Sequence, residues 1–532
     1  MGKISLSGVT TPEQPEPLAS DFVPSPQQRD IFGFVRESHE NLIIEARAGT
    51  GKTTTLVELC KQLRSGIVFL AFNKSIATEI GRKLAEAGLS WKDAKAATMH
   101  SIGFSAWKKH APKTANNVRG EKLDLIMERL GTPNQYRSFC KKLVSLAKQQ
   151  LFGVYTGPNS IPLDDDQAWI DLIEHYDLMQ DVPMGEDDVD EETYIEYALA
   201  WSLKILKESI DTSLDMVDFD DMIYMPLYAN LRFWQYDWVL IDEAQDTNMA
   251  RRILAAKLLR PHGGRLIAVG DRHQAIYGFT GASAQALDHI AHDFQCVTLP
   301  LTVTYRCPRS VVRMAQQWVP DIEARHDAPE GVVTEMEHEK FLQLIPEPTD
   351  AILCRNTKPL VQLAFGYLRR HIPCYIEGKA IGAQLIALCR KWKTPQNIGE
   401  FVVKLEEYVE HEREKLLSQH KEAQFEAIAD KVDTLLVLAD SLGHDQPIQD
   451  IIDLLNRMFK DGEGLQKQVL TLSTIHKAKG REWPRVFFLG RKQLIPSSYA
   501  RLEWQLEQEF NLAYVGVTRA MEQLIEVPLP PR

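Results

Sequence analysis

Apolar runs of strand length recur along the chain, each followed by a turn or by a helical pattern. They fall at 42–44, 67–72, 238–241, 266–269, 351–354 and 485–489. Short buried strands alternating with helices argue for parallel sheets, so the pattern predicts an α/β fold, and the spacing accommodates two such sheets. Two long polar, helix-prone stretches, 108–204 and 386–464, lie between the strand-rich parts and read as insertions. In the second, Val402, Leu405, Val409, Leu416, Phe425, Ile428, Val432 and Leu435 recur among Glu and Lys. That spacing predicts an amphipathic helix pair packed within the chain, because its apolar register is interrupted around 411–413 and 420–424. Residues 1–22, rich in Thr, Pro, Glu and Ser without periodicity, read as a disordered lead-in.

Size and composition narrow this picture. A chain of 532 residues exceeds what one core serves, and at about 150 residues per domain it predicts three or four units. The 44% apolar and 25% charged residues are ordinary for a globular protein. No run reaches the length of a membrane span, the N-terminus lacks an apolar signal core, and Leu6 stands where a myristoylation signal needs Ser or Thr. The expectation is therefore cytoplasmic, or nuclear in a eukaryote, with no membrane partner. Seven cysteines occur without a CxxC pair, so buried free thiols are expected and not a zinc site or disulfide framework. A net charge of -12 counts against nucleic-acid binding. Much of the acid, however, sits in the runs 164–166 and 186–192, which read as solvated loops and leave room for local basic surface.

The chemistry starts after the first strand. Ala46-Arg47-Ala48-Gly49-Thr50-Gly51-Lys52-Thr53 precedes the helix-compatible run TTLVELCKQL. Strand, glycine loop and helix N-terminus form a phosphate cradle. Gly49 and Gly51 let backbone N–H groups turn towards phosphate oxygens, Lys52 reaches the outer phosphates, and Thr53 can ligate Mg²⁺. Ala46 replaces the first glycine of the general pattern. A second apolar strand, 239–241, runs into Asp242-Glu243-Ala244-Gln245-Asp246. Carboxylates at a strand's C-terminal end lie beside such a loop, Asp242 to reach Mg²⁺, partly through water, and Glu243 to orient or deprotonate an attacking water.

The DEAQD sequence is far narrower than a generic acidic strand end, and it resembles the second motif of superfamily 1A helicases of the UvrD, Rep and PcrA type. The other motifs follow in family order: PSPQQRDI at 24–31, AFNKSIA at 71–77, TMHS at 98–101, GDRHQAIYGFTGA at 270–282, TYRC at 304–307, STIHKAKGREW at 473–483 and NLAYVGVTRA at 511–520. The resemblance covers residues 24–524, and the FNKSIA and NLAYVGVTRA spellings lean towards the F-box DNA helicase branch, without an F-box. It implies two RecA-like parallel-sheet motor domains with two mainly helical insertion domains. The first motor domain would comprise 23–107 and 205–300, with insertion 108–204. The second would comprise 301–385 and 465–532, with a reduced insertion 386–464.

The resemblance also implies roles. ATP would bind along Ala48, Gly49, Thr50, Gly51, Lys52, Thr53 and Thr54, with Gln28 reading the adenine edge, Tyr305 stacking on the base and Glu482 binding or coupling the ribose. Gln274 would sense the γ-phosphate, and Arg306 and Arg519 would reach it from the second lobe, where a guanidinium neutralises charge on the transferring phosphoryl group. Single-stranded DNA would meet Phe72 and Asn73, stack on Tyr277 and Phe279, and pass His100 and His476 near its phosphates. Trp483 reads as a core residue or a DNA contact, with the core reading favoured. Thr280 departs from the arginine that many relatives carry before Gly-Ala. The implied activity is an ATP-dependent helicase or translocase moving 3′ to 5′ on single-stranded DNA and unwinding duplex, in replication, repair or recombination. Its partners would be single-stranded DNA, duplex junctions and a protein loading partner. Two alternatives stay open: an ATP-driven remover of proteins from DNA, and an ATP-gated switch that is not a motor.

Overall fold

The computed structural model describes residues 22–158, 160–176, 178, 191–276, 285–370, 372–392, 395, 397–418, 422–460, 469–498 and 500–530. Six strands form the first sheet: β1 (Leu42–Ala46), β2 (Ile67–Ala71), β3 (Ala94–Thr98), β4 (Trp238–Ile241), β5 (Arg265–Gly270) and β6 (Val297–Leu301). They are ordered β3-β2-β4-β5-β1-β6, and every pairing is parallel. A short parallel pair, β7 (Val303–Thr304) and β8 (Glu323–Ala324), follows. The second sheet contains β9 (Val332–Glu335), β10 (Ala351–Cys354), β11 (Cys374–Glu377), β12 (Phe459–Lys460), β13 (Leu470–Thr474), β14 (Trp483–Leu489) and β15 (Ala520–Val527). Its order is β12-β11-β13-β10-β14-β15-β9, again all parallel.

Side-chain alternation along each strand builds two cores per sheet. In the first sheet Ile43, Val68, Leu70, Val239, Ile241, Leu266 and Ala268 face one core. Their neighbours Leu42, Ile44, Phe69, Leu240, Ile267 and Val269 face the other. In the second sheet Ile352, Leu472, Phe487 and Ile525 point to one side, while Leu353, Val486, Phe488 and Leu524 point to the other, with Trp483 buried among them. The central strands are apolar on both faces because helices cover both. Pro300 is tolerated in β6 because that strand ends the sheet, where one edge needs no ladder donor.

Helical segments leave the first sheet between β3 and β4 and the second between β11 and β13. In the latter, helices Ile398–Ser418 and Glu422–Leu442 pair, and Phe401, Leu405, Val432, Leu435 and Leu438 bury into the chain's own core. Three proposed domain boundaries, at 107/108, 204/205 and 385/386, fall inside helices Met99–His110, Glu191–Asp211 and Lys379–Cys389. Helices run on through the points where side-chain polarity changes. The edge strand β12 likewise pairs with the second sheet from within 386–464. All seven cysteines are free, and all but the half-buried Cys296 are buried. Among the described residues no helix is long and apolar enough to cross a membrane.

Candidate functional site

Because the strands are parallel, the C-terminal ends of β1, β4 and β5 meet at one edge of the first sheet. The loop after β1 turns there through Gly49 (φ 73°) and Gly51 (φ 83°), the latter capping helix Lys52–Leu63. Gly49 is required twice over. Its φ is left-handed, and a Cβ would come within 2.5 Å of both Arg306 Cβ and Thr304 Oγ1 of the second lobe. Ala46 needs no such freedom, because it is the last residue of β1 and still pairs with Leu301 of β6. Thr50 is buried and donates its hydroxyl to the Arg47 carbonyl at 2.9 Å. Thr54 is exposed on the helix.

Lys52 Nζ lies 3.0 Å from Glu243 Oε2. Thr53 donates its hydroxyl to Asp242 Oδ2 at 2.7 Å. Glu243 follows β4 with φ 51°, left-handed for a residue that is not glycine. Such backbone costs on the order of 1–3 kcal/mol and persists at sites that use it. Burial pushes the Glu243 carboxyl up, but Lys52 and Lys479 outweigh that and, with a hydrogen bond from Gln245, hold it well below the usual range. Burial and repulsion from Glu243 push Asp242 the other way. Two adjacent acids thus differ in proton affinity, and Asp242 and Thr53 together present the hard oxygen donors that Mg²⁺ takes with water filling its remaining positions.

Gln28 lies on helix Pro26–Glu37, where its amide closes a capping box with Ser25 and donates to Thr55 Oγ1 at 2.9 Å, beside the loop. Gln274 follows β5, donating to Asp271 Oδ2 at 2.6 Å. Across the cleft, Arg519 directs Nη2 to Gln274 Oε1 at 3.5 Å. Its other donors reach the carbonyls of Val515 (2.9 Å) and Arg481 (3.0 Å). Arg519 is 1% exposed, and among the described residues it has no carboxylate at ion-pairing distance. Burial and the neighbouring Arg306 lower its basicity. Arg306 pairs with Glu482 at 2.5 Å. The Tyr305 ring is 47% exposed while its backbone N–H donates to the Gly49 carbonyl at 2.8 Å.

Sequence reasoning assigned no role to three residues that knit this cleft. Lys479 bridges the Asp246 carboxylate (2.7 and 3.0 Å) and the Gln274 carbonyl (2.7 Å). Tyr514 accepts from Ala48 N at 2.8 Å and donates to Asp271 at 3.3 Å. Arg47 pairs with Asp321 at 2.6 Å. Lys479 and Tyr514 stand inside the STIHKAKGREW and NLAYVGVTRA motifs, so position in a motif was the available signal.

Phe72, 40% exposed, and exposed Asn73 follow β2, and the Asn73 side chain caps helix Lys74–Glu86 by accepting from Ile76 N. His100, half-buried, shares a small cavity with Phe72, Asp242 and Glu243. Burial and Arg251 hold the His100 imidazole at about 4. Burial and the cations of Arg355, Lys479 and Lys477 hold His476 at about 4 as well. Tyr277, Phe279 and Thr280 lie outside the described residues.

Residues 25–295 match the UvrD/REP helicase N-terminal domain, and residues 388–526 match the UvrD-like helicase C-terminal domain. The F-box DNA helicase protein 1 of Schizosaccharomyces pombe is 25% identical over 94% of this chain and 57% of that protein. PcrA of Staphylococcus epidermidis, an ATP-dependent DNA helicase, is 24% identical over 58% of each chain. DNA helicase II of Haemophilus influenzae is 23% identical, also over 58% of each. The chain therefore spans less than two thirds of the length of these relatives.

Proposed function

Since the chain belongs to the UvrD/REP helicase family, we propose that it is an ATP-dependent DNA helicase or translocase, moving 3′ to 5′ on single-stranded DNA and unwinding duplex. The observation that carries this reading is Arg519, a buried guanidinium with no carboxylate at ion-pairing distance among the described residues, facing Gln274 across the cleft from the phosphate loop. A buried cation without a counter-ion is costly. The γ-phosphate of ATP is the anion that would balance it.

The triphosphate lies along residues 48–54, and Lys52 moves from Glu243 to the outer phosphates. That exchange removes the main cation holding the Glu243 carboxyl down, so Glu243 gains basicity where water must be oriented. Mg²⁺, held by Thr53 and Asp242, would supply charge neutralisation between the phosphates. Arg306 and Arg519 reach the γ-phosphate from the second lobe, so binding and hydrolysis close and open the cleft. Tyr305 stacks on the adenine, Gln28 reads its edge, and Glu482 meets the ribose after yielding Arg306. The single strand passes Phe72, Asn73, His100, Tyr277, Phe279 and His476.

The deciding measurement is ATP hydrolysis with and without single-stranded DNA, with matched RNA as control. Strong stimulation by DNA alone is expected; no stimulation by either polymer would sink the motor reading. Lys52→Ala and Glu243→Gln should each lose at least about 10²-fold in turnover. Unwinding of 3′-tailed but not 5′-tailed duplexes tests the direction.

A further inference from the structure

Arg251 sits in the first turn of helix Met249–Leu258, where the Asn248 cap accepts from its backbone N–H at 3.1 Å. Its Nη1 donates to the carbonyl of Asp246 at 2.7 Å. The Asp246 carboxylate is already taken by Lys479. Among the described residues no carboxylate lies at ion-pairing distance from Arg251, and the Asp246 carbonyl is its one side-chain hydrogen-bond partner. A guanidinium carries five N–H donors, so most of this one is uncommitted.

Its surroundings say what it would take. The guanidinium carbon lies 5.9 Å from the centre of the Phe72 ring. With Phe72 and His100 it lines the small cavity that also touches Asp242 and Glu243, and Arg251 is the one cation among the described residues lining it. It also lines a second cavity, of about 110 Å³, with His100, Lys148, Gln149, Asp220 and Asn248, where Lys148 offsets the Asp220 carboxylate. An uncommitted, partly buried guanidinium beside an exposed aromatic has the composition of a single-strand contact: a ring for the base and a fork for the phosphate. The bond to the Asp246 carbonyl ties that fork to the turn carrying Glu243.

We propose that Arg251 binds a backbone phosphate of the single strand crossing Phe72 and His100, and through the Asp246 carbonyl positions the acidic turn when DNA is present. This rests on the DNA-motor reading above. It makes Arg251 a phosphate contact towards DNA and a positioning residue towards ATP.

The test uses the full chain and a fluorescent oligothymidylate, with affinity measured across a salt series. Each phosphate contact contributes about 0.7 to the slope of log affinity against log salt on single strands. Arg251→Gln should lower the slope by about that amount, and raise the DNA concentration for half-maximal ATPase stimulation on the order of ten-fold. Arg251→Lys, which keeps the charge, should restore the slope but only part of the stimulation, because an ammonium cannot hold phosphate and carbonyl in one plane. A wild-type slope in Arg251→Gln overturns the proposal. So does a folded Arg251→Lys whose slope falls as far as that of the Gln variant, which also decides the matter if the Gln variant does not fold. Wild-type protein that neither binds nor responds to DNA would instead remove the motor reading itself.

Discussion

Two parts of this molecule bury charge, and they do it in opposite ways. Where the first lobe's insertion helices meet the segment leading to β4, Lys122 and Lys148 are fully buried. Lys122 lies 2.6 Å from Asp221, and Lys148 lies 2.6 Å from Asp218 and 2.8 Å from Asp221. The Ser209 carbonyl takes a further Lys122 donor, and Asp218 and Asp221 cap each other's backbone N–H groups. Two cations meet two carboxylates at ion-pairing distance, and burial and repulsion from Asp218 push the neighbouring Asp220 carboxyl up to about 6. In the cleft, Arg519 is just as buried but among the described residues meets only carbonyls, a hydroxyl and an amide. A balanced cluster holds helices in place; an unbalanced cation marks where an anion comes and goes.

The sharpest way to break that contrast is to neutralise each side in turn. Arg519→Met should lower ATP turnover on the order of 10³-fold or more, as loss of an arginine acting on the γ-phosphate does. Its melting temperature should hold, because relief of the buried charge offsets the lost bonds to Val515 and Arg481. Asp221→Ala should do the reverse, leaving two buried lysines short of a partner at a cost of about 3–5 kcal/mol in urea unfolding. If Arg519→Met destabilised the protein as much as Asp221→Ala, the Arg519 cation would be structural and the distinction would collapse.

The same contrast explains what was legible in the sequence. Strands such as 42–44 and 238–241 are apolar throughout because both their faces are covered, so composition alone exposes them. The strand β3 reads AKAAT and β6 reads VTLPL, and both fall below that signal because they lie at the sheet's edges and are less covered. The phosphate loop and the acidic strand end were legible because each is a local pattern, a few residues long, whose chemistry needs adjacency. The cleft's cross-links were not. Ala48 and Tyr514 are 466 positions apart and Asp246 and Lys479 are 233 apart, and no local pattern encodes a contact that tertiary closure creates. The insertion's balanced cluster was missed for the same reason. Its lysines fall on helical positions that resemble solvated ones until Asp218 and Asp221 arrive from downstream.

The smallest expected effect concerns the histidines beside the cleft. Proximity to phosphate invites the assumption that His100 and His476 bind DNA as cations, but burial, then Arg251 for one and Arg355, Lys479 and Lys477 for the other, hold both at about 4. Both are neutral at pH 7 and remain so down to pH 5. The double variant His100→Gln, His476→Gln and the wild-type protein should therefore show parallel DNA affinities from pH 8 to pH 5 at fixed ionic strength. A wild-type affinity that climbs relative to the variant as pH falls through about 6.5 would mean that the imidazoles charge normally. Stability carries the opposite signature. An unfolded histidine takes up its proton near 6.5, so the unfolded chain binds more protons between 6.5 and 4. The stability from keeping these two rings neutral is complete above about pH 6.5 and lost as pH falls towards 4. The wild-type melting temperature should thus drop over that window more steeply than the variant's, while their DNA affinities stay parallel. That divergence would separate a buried neutral ring from a cationic contact such as the one proposed for Arg251.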